Sequence, residues 1–130
     1  MTTPNRERTL KVILVVLGIG QFGTSAFSFV GAMMRLPRST ATPMLESVLM
    51  TLGVFLVLAA RNPPAYRSLI LYGGWANLAH AAVMAVMAIP VATQRLALLI
   101  PAALAGVAGA LLLAFAPPPV DSLHVRSSSG

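Results

Sequence analysis

The chain has 130 residues, of which 57% are hydrophobic and 9% charged, with a mean hydropathy of +0.83 and a formal net charge of +6. Soluble domains carry about 25% charged residues to clothe a water-facing surface, so this composition excludes one. It also excludes nucleic-acid binding, since no soluble segment is long enough to present a basic stripe, and the absence of cysteine excludes disulfides, thiolate metal sites and cysteine nucleophiles.

Residues 1–9 read as a short polar N-terminal segment, with Arg6, Arg8 and Lys11 leading into the first apolar run. That run, Val12 to Met34, far exceeds the roughly 7 to 15 apolar residues of a signal peptide, so a retained first helix is expected. The predicted transmembrane spans are 10–34, 44–60, 68–89 and 96–116, followed by a flexible cytoplasmic tail at 117–130. The second is the shortest; at 1.5 Å per residue it covers about 25 Å, near the lower limit for a hydrocarbon core of about 30 Å. Prolines punctuate the map as helix breakers: Pro37 and Pro43 in the first loop, Pro63 and Pro64 in the second, Pro90 in the third, and Pro117 to Pro119 after the last span. Pro101 lies inside the fourth span, where a kink is expected.

Loops this short make consecutive helices antiparallel neighbours. The expected fold is an all-α, integral membrane four-helix up-down bundle. Four spans put both ends on one side. That side carries Arg6, Arg8, Lys11, Arg61, Arg67 and Arg126, against Arg35, Arg38 and Arg95 on the other. The positive-inside rule then orients the expected multi-pass chain with both ends in the cytoplasm. Two rows of small residues offer close helix packing: Gly20, Thr24, Ser28 and Ala32 on the first helix, and Ala102, Gly106 and Ala110 on the fourth. Either row suits a contact within the bundle or a homo-oligomer.

Polar groups at membrane depth are where function shows, because an unpaired one costs several kcal/mol. Counting from the cytoplasmic end puts Gln21 at about 17 Å, Asn77 at about 14 Å and His80 at about 18 Å, with Thr24, Ser25 and Thr51 near the same level. These form a midplane layer that serves either as interhelical hydrogen-bonded glue or as a ligand or proton-relay site centred on His80. His80, Met84 and Met87 share one helix face with the imidazole and thioethers that suit copper(I). Ala76 one turn before His80 matches the small residue preceding a bacteriochlorophyll-ligating histidine in antenna polypeptides, and haem is the remaining candidate. No cofactor is the simplest expectation. Glu46, near the start of the second helix, is favoured there by the exposed amides and expected to pair with Arg35 or Arg38. The same counting separates it from His80 by about 10 Å, too far for direct contact.

The stretch from Gly53 to Pro63, then Arg67 to Ile70 and Trp75 to Met84, resembles a family of uncharacterised small four-helix bacterial membrane proteins, over about Glu46 to Ala88. The resemblance implies a bacterial four-span membrane protein and points to Glu46, Arg61, Pro63, Arg67, Trp75 and His80 as positions to test. Small multidrug transporters have similar size, but their coupling carboxylate lies in the first helix, where this chain has none.

No nucleophile with a base, phosphate-binding loop or carboxylate pair is present, so no enzyme is expected. The leading expectation is a structural or interaction role, as an accessory subunit of a larger membrane complex or a homo-oligomer. The alternatives are a small proton-coupled carrier using the midplane layer, and a pigment, haem or copper protein. Reporter fusions to the two ends should both read cytoplasmic; a periplasmic N-terminus would refute the charge argument.

Overall fold

The computed structural model describes residues 4–34 and 41–119. Its helices are α1 (Pro4–Met33), α2 (Ala41–Ala59), α3 (Arg67–Met87) and α4 (Arg95–Phe115), with a turn of 3-10 helix at Ala92–Gln94 leading into α4. All four are long and apolar enough to cross a membrane, and together they form an all-α four-helix bundle.

Helix limits follow from local chemistry. Pro43 does not break the chain as the sequence suggested: α2 starts at Ala41, so Pro43 falls in its first turn, where an amide hydrogen has no intrahelical acceptor to lose. With 19 residues, α2 spans about 28 Å. Between α2 and α3, Pro63 is fully buried and the turn is held by Ala65 N–H donating to the Asn62 carbonyl at 3.1 Å. Helix C-termini leave carbonyls without acceptable partners, and arginines cover several of them here. Arg6 donates to the Ala114 carbonyl at 3.0 Å and Arg67 to the Pro117 carbonyl at 2.7 Å. At the other end of the bundle Arg95 reaches the Ala88 carbonyl at 3.3 Å. Each places a cation at the negative end of a helix dipole. Among the described residues the ion pair present is Lys11 with Glu7, one turn apart on the exposed side of α1.

The bundle consists of two tight hairpins that touch each other lightly: α1 lies along α2 and α3 along α4, whereas α1 meets α4 and α2 meets α3 over much shorter stretches. Glycine makes the tight pairs possible. A Cβ on Gly18 would stand 2.7 Å from the Gly53 carbonyl oxygen, and one on Gly109 would stand 2.7 Å from that of Gly74. Such backbone approach is the usual basis of helix association in lipid, where apolar side chains gain nothing by leaving their surroundings.

The core lies at the end of the bundle where α1 begins and α2 ends, called the terminal end below. Leu10, Leu14, Leu52, Leu56, Ile70 and Leu112 form one buried cluster there. Large apolar residues such as Phe27, Trp75 and Leu96 point outwards, as a lipid-facing surface requires.

Gly53→Ala should destabilise the protein by about 1–3 kcal/mol through overpacking against backbone. Gly20→Ala, with nothing within 4 Å of its added carbon, should be neutral or stabilising. Thermal unfolding in detergent measures both.

Candidate functional site

Light contact between the hairpins leaves a cleft of about 510 Å³ between them. It occupies the half of the bundle away from the terminal end, because the leucine cluster fills the other half. From α1 come Leu17, Gln21, Thr24, Ser25 and Ser28; from α3, Asn77, His80 and Met84. Glu46 and Leu49 of α2, with Pro101, Leu104, Ala105 and Ala108 of α4, complete the walls. Among the described residues α1 and α3 make no close approach, so they face one another diagonally across this space.

Asn77 is 5% exposed and donates one amide hydrogen to the Gly73 carbonyl of its own helix at 2.8 Å. Its side-chain oxygen accepts no hydrogen bond among the described residues. The interhelical bond to Gln21 considered from the sequence is therefore replaced by one within α3. Thr24 likewise satisfies its hydroxyl locally, donating to the Gly20 carbonyl at 2.8 Å. The side chains of Gln21, Ser28, Glu46 and His80 have no hydrogen-bond partner among the described residues, and no buried side-chain polar atom among those residues is left unsatisfied. In hydrocarbon such groups are costly to leave unpaired. The cleft is thus a mainly apolar space with polar side chains on its walls, able to hold a solute that has both characters.

Gln21, Asn77 and His80 are brought together, as the counting of levels anticipated. Glu46 joins them on the wall of the same cleft: the cavity extends over several helical turns, so a difference in height does not separate the two residues from one shared space. No bond links Glu46 to His80 among the described residues. Arg35 and Arg38, the expected partners of Glu46, lie outside the described residues. Thr51 is separate; it donates to the Ser47 carbonyl at 2.9 Å and lines a groove between α2 and α3.

The small-residue rows behave differently from each other. Gly20, Thr24 and Ser28 line the cleft, leaving no helix seated on them, and Ala32 is half-buried. On α4, Ala102 is buried, Gly106 would place a Cβ 3.8 Å from that of Ala81, and Ala110 is exposed. The close contacts use Gly18, Gly53, Gly74 and Gly109 instead, which the sequence reading missed. Their signal was the equal separation of the glycines within each pair. Of the positions named by the resemblance, Pro63 is buried, Arg67 caps α4, and Trp75 and Arg61 face outwards.

As a ligand set, His80 and Met84 share the cleft, but Met87 does not line it and stands 53% exposed at the end of α3. The described residues contain no group of three His, Cys, Asp or Glu side chains placed to hold a metal.

A family model described as a family of unknown function, DUF6632, matches residues 10–117. The chain belongs to this family. The match takes in nearly all of the four helices and the whole cleft, well beyond the Glu46 to Ala88 stretch that carried the resemblance. No curated protein and no solved structure matches the chain.

If the cleft is wet, Ser28→Cys should react with a membrane-impermeant thiol reagent, while Leu14→Cys in the leucine cluster stays unmodified. Equal reaction of the two in folded protein would contradict the packing described.

Proposed function

We propose that this member of the family is a multi-pass protein of the bacterial inner membrane, both ends cytoplasmic, that binds a small amphipathic solute in the cleft and carries it with proton coupling. The observation that carries this reading is the set of polar side chains around one cavity that have no hydrogen-bond partner among the described residues. Structural glue would spend those groups on each other; a binding site keeps them free.

The chemistry of the lining narrows the solute. Among the described residues Glu46 is its one carboxylate and no lysine or arginine lines it, which favours a neutral or cationic head group. Leu17, Leu49 and Leu104 supply the apolar wall. His80 and Glu46 are the described lining groups that carry a transferable proton. The charge count supports the orientation, in which the packed terminal end faces the cytoplasm and the cleft lies towards the periplasm.

In proteoliposomes loaded with a pH-sensitive dye, the protein should dissipate an imposed pH gradient. His80→Ala should slow this by about tenfold or more, the range of a lost proton-transferring group. Tight vesicles with wild-type protein would sink the proposal.

The interaction role has one observation in its favour. Gly23 and Gly31 have nothing within 4 Å of an added carbon, and Phe27 beside them is 84% exposed, which leaves that face of α1 bare for a second copy. Mass measured in mild detergent distinguishes a monomer from an oligomer. A Soret or near-infrared band in purified protein, lost in His80→Ala, would instead assign the cleft to a pigment or haem.

A further inference from the structure

The two tight hairpins are built from the same contacts. A Cβ on Gly18 would meet the Val57 side chain at 2.7 Å as well as the Gly53 carbonyl oxygen at 2.7 Å; one on Gly74 would meet the Leu113 side chain at 2.7 Å and the Gly109 carbonyl oxygen at 3.3 Å. In the reverse direction Gly53 approaches the backbone of Phe22 at 2.8 Å, and Gly109 approaches the backbone of Leu78 at 3.1 Å. Every residue of the second set is its counterpart in the first moved along by 56 positions. The same shift takes buried Leu14 to Ile70 and buried Leu56 to Leu112, and the basic residue Lys11 to Arg67. The segments joining α1 to α2 and α3 to α4 have equal length, so one shift serves both helices.

Contacts between the hairpins obey the rule as well. Exchanging α1 with α3 and α2 with α4 turns the α1 to α4 contact into the α3 to α2 contact, and these two are equally slight. Val16 and Leu104 line the cleft; their counterparts Tyr72 and Val48 line the groove of about 380 Å³ between α2 and α3.

We infer that residues 10–60 and 66–116 are tandem copies of one helical hairpin, related by a pseudo-two-fold axis along the bundle, and that the cleft on this axis is a single site with paired positions. The pairs are Gln21 with Asn77, Thr24 with His80, and Ser28 with Met84, all six on its walls. Each pair faces across the diagonal between α1 and α3. This second half of the inference rests on the cleft being the binding site.

Parallel repeats about an axis normal to the membrane are a known plan for carriers, with the site at the repeat interface. Here the packing positions keep their chemistry between the copies, while the outer cleft positions have diverged from hydroxyls to an imidazole and a thioether. The carboxamide level remains alike. A bound molecule therefore meets a similar pair of amides on both walls at the deep end and unlike walls further out. His80 and Met84 are the residues that give the site one preferred orientation and set its specificity.

Two measurements on the otherwise cysteine-free chain test this. Spin labels on Val16→Cys with Leu104→Cys, and on Tyr72→Cys with Val48→Cys, should give coincident distance distributions; means separated by more than the width of the label's own distribution overturn the symmetry. In the double variant Thr24→Cys with His80→Cys, a bulky maleimide should add once per chain although each single variant is fully labelled, because the first adduct fills the shared space. Two adducts per chain overturn the shared site. Neither readout depends on transport, so absence of proton flux would remove the proposed carrier function and leave the duplication and its shared cleft to stand or fall on these results.

Discussion

The rest of the molecule depends on the contact of backbone with backbone at Gly18 and Gly53, and again at Gly74 and Gly109. In lipid there is no gain from hiding leucine from its surroundings, so helices associate where their surfaces come closest. A side chain at any of these four positions would meet a carbonyl oxygen or backbone nitrogen at 3.3 Å or less. Close approach along one edge of each helix commits that edge to its hairpin partner. The other edge is left with lighter contacts, and a cleft remains where the two hairpins meet.

The two ends of that cleft are unlike. At the terminal end the leucine cluster fills the axis, Arg6 holds the Ala114 carbonyl in the last turn of α4 and Arg67 holds the Pro117 carbonyl just beyond it. At the other end Arg95 covers the end of α3 without reaching across to the first hairpin. Packing thus closes the terminal end, and the cleft occupies the other half of the bundle.

Much of the fold was legible in the sequence because it follows from composition. Uncharged runs between short basic clusters gave four helices, and short loops gave their antiparallel order. The midplane layer was legible too, since the rise per residue fixes the height of Gln21, Asn77 and His80. Height alone says nothing about rotation around a helix axis, and there the reading fell short. Gly20, Thr24 and Ser28 looked like a packing seam, yet that stripe faces the cleft, while the true seam runs through Gly18. With glycine and alanine on every face of α1, no periodicity selects one. Pro43 was read as a breaker because proline chemistry differs between the first turn and the interior, and the start of α2 was placed three residues late. Glu46 was read as too far from His80 for direct contact, and no bond joins the two among the described residues although both line the cleft.

Both tight interfaces join helices that are neighbours in the chain, so each forms as soon as its second helix is in the membrane, with only a short loop to close. Local contacts of this kind form early, and regions with few contacts open at the lowest cost. The surfaces that define the cleft belong to the slight contacts between hairpins, so they come together last during insertion and separate first under stress. Loss of the cleft is thus expected to precede loss of helix, as a partial opening into two intact hairpins.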